Sequence, residues 1–360
     1  MKSIIQIVLL CLLLSQALTF TQEVPDQHTK DIEALIDEAY ARWREEFVPV
    51  SRLNNALFLK SANTANTDEK KQVFAENYKI VEAHNKLDST YKMKLNKFAE
   101  LTPDQFKTMY LSTYDSYENA EDNLKNFEPT KIESIDWVSQ GLVSQIKNQK
   151  TCGSCWAFSA NSAIESAYGI KYQKDRNFQM LNLSEQQLVD CSHDKWHNME
   201  NSGCHGGWPM AAFTYSMNNS MDSQESYPYE NRANERCKFD PKGGVSSLRV
   251  KSYSMVESDD SDQMKAAVAQ QVISIAIAAN DLMFYDGGIY NNDRCSTQVN
   301  HAVNIVGFGE ENGVKFWKVR NSWSTGWGEQ GYLRILRTEG KGRGMCNMLA
   351  VGSYPTIADN

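Results

Sequence analysis

The stretch KNQKTCGSCWAFSA, residues 147–160, decides how the rest of the chain is read. Cys152 and Cys155 stand three apart around Gly-Ser, and a tryptophan and an apolar run follow at once. Trp156, Ala160, Ala163, Ile164 and Ala167 recur at three and four. That spacing predicts a helix from Ser154 to Gly169 with the second cysteine in its first turn. There the helix dipole and outward N–H groups favour a thiolate, the nucleophilic form. Three readings of the pair are open: a metal site, a redox couple, or two cysteines with separate roles.

The opening of the chain narrows the choice. Met1-Lys2-Ser3 is a basic start, Ile4 to Leu14 is apolar, and Ser15-Gln16-Ala17 offers small residues before a cut. This pattern predicts a secretory signal peptide over residues 1–17 and a mature chain that meets an oxidising compartment. The apolar run is too short for a bilayer, and no later segment has the roughly 18 apolar residues that a membrane helix needs. Of eight cysteines, Cys11 leaves with the signal peptide and seven remain. An odd number predicts three disulfides and one thiol, so one member of the pair is structural and the other chemical. A zinc site would need two further ligands; Cys204 and His205 are candidates, but a second Cys-x-x-Cys is missing. A redox couple would want a preceding strand in a βαβ unit, which the pattern lacks. Neither a metal nor a cofactor is expected. A net charge of −8 without a long basic run speaks against nucleic acid as a partner.

Composition divides the chain near residue 130. Residues 18–130 hold no cysteine and read as mostly helical. DIEALIDEAYARW (31–43) and EKKQVFAENYKIVEAHNK (69–86) set apolar residues at helical spacing among Lys and Glu. The polar KSANTANTDEKK (60–71) between them reads as a surface loop. A linker with Pro129 leads to the part that carries every mature cysteine. There Ser184 and Gln187 form a capping box for one helix, and Pro209 suits the first turn of another, WPMAAFTYSM. Beyond about residue 245 short strands take over: VISIAIAA, NHAVNIVGFG, VKFWKVRNSW and GYLRILR. A helical half followed by a β half predicts an α+β fold with a cleft where the halves meet.

A thiolate at Cys155 needs a base. His28 and His84 fall in the helical N-terminal part, His193 and His197 in a polar stretch, and His205 beside Cys204. His301 alone starts an alternating apolar strand, which would hold its ring rigidly across the cleft from Cys155. Asn321, in the tryptophan-rich RNSWSTGWG, would orient that ring from a site closed to water. An oxyanion needs fixed donors; the side-chain amide of Gln149 and the backbone N–H of Cys155 are placed to supply them.

With CGSCWAF, NHAVNIVGFG and RNSWSTGWG in this order, the chain from about residue 131 onward resembles the papain family of cysteine proteases, close to its cathepsin L branch. The resemblance implies a papain-like α+β fold over residues 131–360. A helical subdomain to about residue 240 and a β-barrel-like subdomain from about 241 would flank the active-site cleft. Gln149, Cys155, His301 and Asn321 are implied as oxyanion donor, nucleophile, base and orienter. The implied disulfides are Cys152–Cys204, Cys191–Cys237 and Cys295–Cys346, which use every mature cysteine except Cys155. Residues 18–130 resemble, more loosely, the family's helical inhibitory propeptide. Phe74, Asn77, Asn85, Asn96 and Phe98 match its motifs, whereas Asn66, Lys70, Val81, Lys94 and Glu100 replace the usual Glu, Arg, Ile, Gly and Asp. Lys150 and Ser324 replace glycines common in the family.

By family position, Trp208, Pro209, Ala276, Val299 and Ala302 would wall the pocket for the side chain two residues before the scissile bond, with Val351 at its base. None is charged, so a bulky apolar residue is the expected preference. Gly206 and Gly207 would let the substrate backbone reach the rim, and Trp323 would line and shield the site. The expectation is a monomeric cysteine endopeptidase acting on proteins or peptides through an acyl-enzyme. It would be made as a secreted or lysosomal zymogen whose own propeptide inhibits it until acid releases it. Asn182 and Asn218 stand in Asn-x-Ser sequons that would accept N-glycans.

Overall fold

The computed structural model describes residues 27–48, 64–112, 123–193, 195–196, 199–240 and 248–359; the expected signal peptide lies outside them. The chain divides into two compact units, residues 1–57 and 58–360. In the first, helix α1 (Gln27–Phe47) stacks Trp43 against both Tyr40 and Phe47 along one side, as residues three and four apart on a helix do.

The second unit begins with helix α2 (Thr64–Asn85), strand β1 (Tyr91–Met93) and helix α3 (Pro103–Tyr110). Residues 64–71, expected as loop, are the start of α2, because Ala, Lys and Glu are good helix formers however polar the stretch. The asparagines of α2 hold the segment that follows it. Asn77 Nδ2 donates to the carbonyls of Ala99 and Leu101, each at 2.9 Å, and Asn85 brackets Met93, accepting its N–H at 3.0 Å and donating to its carbonyl at 2.8 Å. α3 opens on a reciprocal capping box between Thr102 and Gln105.

The later helices are α4 (Cys155–Tyr172), α5 (Glu185–Cys191), α6 (Pro209–Asn218) and α7 (Ser261–Val268). The later strands are β2 (Leu124–Lys125), β3 (Ile135–Asp136), the hairpin β4 (Lys195–Trp196) and β5 (Met199–Glu200), then β6 (Val250–Val256), β7 (Ile273–Ile277), β8 (Tyr285–Tyr290), β9 (His301–Glu311), β10 (Val314–Arg320), β11 (Tyr332–Leu336) and β12 (Gly352–Ile357). Apart from the hairpin they form one sheet in the order β1-β8-β11-β10-β9-β7-β12-β6-β2, with β3 on β9. The first strand, from the N-terminal part, thus extends the sheet of the C-terminal part. Gly288 allows it: its φ is +90° and a Cβ there would lie 2.4 Å from the Thr90 carbonyl oxygen.

α4 is buried on nearly every side, as an Ala-rich helix without a polar face should be, and packs on β9, β7, β12 and α6. It continues past Gly169 to Tyr172. Ser184 caps α5 by accepting the Gln187 N–H at 3.0 Å. The reciprocal half of the expected capping box is absent. Gln187 binds the Tyr215 hydroxyl, the Ser220 carbonyl and the Asp222 N–H instead, while the Ser184 N–H goes to the Asp222 carbonyl. Tertiary partners outcompete the local one. The disulfides join Cys152–Cys204, Cys191–Cys237 and Cys295–Cys346, the pairing the resemblance implied. No helix among the described residues is long and apolar enough to cross a membrane.

Candidate active site

Cys155 is the first residue of α4. The turn before it is tight: the Gly153 N–H donates to the Cys204 carbonyl at 3.0 Å and the Ser154 N–H to the Cys152 carbonyl at 2.7 Å. The Cys152–Cys204 disulfide clamps this turn. One cysteine of the pair is therefore structural and the other is a thiol. That thiol is fully buried, accepts the Ala302 N–H at 3.4 Å and lies 3.5 Å from the Ser112 hydroxyl. Burial pushes it up, but the charge and hydrogen bond of His301, with the bonds of Ala302 and Ser112, outweigh burial. They hold Cys155 at about 7, below its ordinary 9.0.

His301 opens β9 and is wholly enclosed. Its Nε2 is 2.8 Å from Asn321 Oδ1, which also accepts the Ser322 N–H at 2.7 Å. An oxygen so placed puts the ring proton on Nε2. The buried Nδ1 is left with Cys155 as its one partner among the described residues. Trp323 stacks on the ring at 4.7 Å, and Trp327 meets Trp323 edge-on at 5.0 Å.

Every polar atom of Gln149 has a partner. Its N–H donates to the Ser322 carbonyl at 2.9 Å, its carbonyl accepts the Tyr229 hydroxyl at 2.7 Å, and its Oε1 accepts the Ser322 hydroxyl at 2.6 Å. This pins the amide with Nε2 toward the cleft, where it donates to the carbonyls of Cys152 at 3.2 Å and Tyr110 at 3.1 Å. Sequence reasoning missed Ser322 and Tyr229. Ser322 carried a signal, its position beside the expected orienter; Tyr229 carried none.

The N-terminal part occupies the cleft. Besides the Tyr110 carbonyl on Gln149, the Ser112 N–H donates to the Asn300 carbonyl at 2.8 Å and its hydroxyl to the Gly153 carbonyl at 3.3 Å. Phe98 and Phe106 meet Trp323 edge-on at 5.7 and 5.3 Å, and Asn96 Nδ2 donates to the Met283 carbonyl at 2.9 Å. Lys97 lies over the rings of Phe98 and Tyr110 and donates to Asn148 Oδ1 at 3.3 Å. Burial pushes its amine down to about 8.

Of the expected pocket residues, Trp208, Ala276, Val299 and Val351 cluster together, joined by Met210 and Met255. Pro209 is buried at the start of α6, and Ala302 belongs to the cluster around Cys155 and Trp156. Gly207 has no room for a side chain, since a Cβ would lie 2.3 Å from Asn201 Oδ1, and Gly206 has φ +125°. Asn182 and Asn218 are exposed. Among the described residues no cluster of His, Cys, Asp and Glu is placed to hold a metal ion.

The family model described as papain family cysteine protease matches residues 132–356. The chain belongs to the papain family of cysteine proteases. A second model, the cathepsin propeptide inhibitor domain (I29), matches residues 56–106. Vignain of Vigna mungo is 35% identical over 99% of this chain and 94% of its own length. Pro-cathepsin H of Mus musculus is 35% identical over 82% of this chain and 86% of its own. The solved proform of the ragweed pollen allergen Amb a 11, a cysteine protease, has a TM-score of 0.77 and 33% identity, covering 94% of this chain and 99% of that one. This papain-family endopeptidase is thus a zymogen whose substrates are proteins and whose propeptide inhibits it within the same chain. The match to the inhibitor domain ends before Tyr110 and Ser112, so the contacts nearest the thiol lie beyond it.

Proposed function

We propose that Cys155 is the nucleophile, His301 its base, Asn321 the orienter, and Gln149 with the Cys155 N–H the oxyanion donors of an endopeptidase that prefers a bulky apolar residue two positions before the scissile bond. One observation carries this reading: the buried Cys155 thiol accepts the Ala302 N–H beside His301, whose ring Asn321 holds, while Gln149 Nε2 reaches a carbonyl in the same cleft. The charge and hydrogen bond of His301 lower the thiol, so in the proposed mechanism Cys155 attacks as a thiolate with the imidazole holding its proton. The thiolate attacks the substrate carbonyl carbon, and the oxyanion takes the place that the Tyr110 carbonyl fills in the precursor. The imidazolium gives its proton to the leaving amine. His301 then draws a proton from water, which splits the acyl-enzyme.

The apolar cluster of Trp208, Ala276, Val299 and Val351 supports the specificity. Leu or Phe gains about 1.5–3 kcal/mol there, and Arg would find no carboxylate. The propeptide meets Trp323 first, then Cys155, and its later Leu124 pairs with Met255 of that cluster. A substrate anchored in the pocket would run the opposite way, so the propeptide lies in the cleft without being cut. Residues 1–17, 18–130 and 131–360 divide as signal peptide, propeptide and peptidase, the product being a monomer of the secretory pathway that works in a lysosome, an acidic vacuole or outside the cell, with glycans on Asn182 and Asn218. The Lys70–Glu100 pair at 3.1 Å joins α2 to the segment over Trp323, and acid is the proposed trigger that releases the propeptide.

The test is an epoxide directed at thiolate proteases, which should label Cys155 in the processed enzyme. Cys155→Ser should fold, keep its disulfides and lose activity; retained activity refutes the assignment. Peptides differing only two residues before the cut should show a higher kcat/KM for Leu or Phe than for Arg, and the reverse order overturns the pocket.

A further inference from the structure

We propose that Tyr229 is a positioning residue for the oxyanion hole: its hydroxyl ties the Gln149 backbone to Ser154, the residue before Cys155, and so sets the side-chain donor against the nucleophile. The inference rests on Gln149 being the oxyanion donor.

Tyr229 Oη donates to the Gln149 carbonyl at 2.7 Å. With its one proton committed there, it accepts from the Ser154 hydroxyl at 2.8 Å. Gln149 and Ser154 are the two ends of the loop that carries the donor and leads into α4. Within that loop the Gln149 carbonyl otherwise receives only the long 3.5 Å contact of the Cys152 N–H. Ser154 occupies the cap position of α4, yet its side chain makes no cap bond. A serine there would ordinarily bond the first turn; this hydroxyl is turned to Tyr229. The disulfide fixes the middle of the loop and Ser322 holds the Gln149 side chain and N–H, which leaves the Gln149 carbonyl to Tyr229.

One side of the tyrosine ring packs on the core around Cys155 and Trp156. Phe158 meets it edge-on at 5.1 Å. The ring also lines a cavity of about 480 Å³ together with Asn148, Glu185 and Met180. With open space beside the ring, the two hydrogen bonds define its place. An oxyanion donor works only within about 2.7–3.1 Å of the developing charge, so a loop that relaxes by a few tenths of an ångström loses transition-state stabilisation while substrate still binds.

The test uses enzyme released from the full-length precursor. Tyr229→Phe should lower kcat about tenfold to thirtyfold with KM little changed, the signature of an interaction made in the transition state. A peptide aldehyde, whose hemithioacetal oxygen uses the hole, should weaken in proportion. Alkylation of Cys155 by iodoacetamide does not use the hole, and its rate and pH profile should stay as in the parent. Gln149→Ala should cost more than Tyr229→Phe, and combining the two should add nothing further. In Tyr229→Ala, added phenol should restore part of kcat and toluene should not. Parental kcat in Tyr229→Phe, alkylation that falls in step with kcat, or additive losses in the double variant each overturn the proposal. Parental kcat in Gln149→Ala sinks the donor assignment and this role with it, whereas a crippled Gln149→Ala beside an inert Tyr229→Phe sinks Tyr229 alone.

Discussion

Two lysines near Gln149 sit in opposite chemistry. Lys147 belongs to the seam between α4 and the strands. It binds Glu165 at 3.0 Å, Glu185 at 2.6 Å and the Leu183 carbonyl at 2.9 Å. Burial lowers its amine, but the two acids outweigh burial and raise it. Lys97 belongs to the seat of the propeptide; aromatic rings surround it and burial pushes it down to about 8. The rest of each interface follows its lysine. Along the seam, the Ser159 hydroxyl donates to the Val303 carbonyl at 2.9 Å, Asn304 Nδ2 donates to the Ser159 carbonyl at 2.9 Å, and Arg320 reaches the Gln145 carbonyl at 2.7 Å. In the seat, Phe98, Phe106 and Tyr110 pack on one another, with Trp323 against the two phenylalanines. Buried polar bonds penalise partial opening, because each broken one strands a desolvated group. Aromatic burial is non-directional and can be released stepwise. The permanent interface sets buried polar bonds into an apolar core, and the one that must come apart rests mainly on aromatic packing.

The contrast can be broken most severely at Glu165. Glu165→Ala leaves Lys147 buried with one acid fewer and strands the Leu183 N–H, so mature enzyme should lose about 3–5 kcal/mol in denaturant unfolding. A loss under about 1 kcal/mol would mean the seam does not depend on its charges. Next comes the seat. Phe98→Ala removes about 3 kcal/mol of packing, so labelling of Cys155 in the precursor at neutral pH should quicken about a hundredfold, while the melting of the mature enzyme stays unchanged. Equal labelling rates would show that the aromatic plug is incidental.

Lys97 offers a smaller, signed effect. Its docked pKa of about 8 lies below the free value of about 10.4, so docking favours the neutral amine. Propeptide binding is therefore strongest above the free value, weakens as pH falls to about 8, and is flat below that. Lys97→Met should slow labelling of the precursor about tenfold at pH 7 and leave activation by acid intact. If the acid response vanished in that variant, the flat contribution of Lys97 below pH 8 would be wrong. The smallest effect is expected where seam and seat meet. Ser324, with φ +67°, donates its N–H to the Lys147 carbonyl at 3.1 Å. Ser324→Gly should relieve up to about 1 kcal/mol of strain and raise the melting temperature slightly. A lower melting temperature would mean that the serine side chain offsets the strain.

The groups proposed to touch the reacting atoms were singled out in the sequence because their chemistry ties residue type to local setting. A thiol at a helix start, a histidine at a strand start and an odd cysteine count each narrow the choice without knowledge of the fold. What was not legible depends on distant parts of the chain meeting. Tyr229 lies 80 residues from Gln149, and no pattern around YPYE announces that its hydroxyl will bridge the active-site loop. Tyr110 and Ser112 belong to no motif in the sequence, and only the fold brings them to Gln149 and Cys155. The half-made capping box at Ser184 shows the same limit from the other side: the local motif was real, and Gln187 still chose partners from α6 and the residues after it.

β12 lies between β7 and β6, and Val351, immediately before it, completes the apolar cluster with Trp208. The last of the described strands in chain order is therefore an interior strand of the sheet. Until it arrives, β6 and β7 lack the strand that joins them, and the half of the cleft that carries His301 has no finished partner for α4. The inhibitory segment, by contrast, emerges long before. Synthesis order alone thus makes the inhibitory segment before a competent cleft can form.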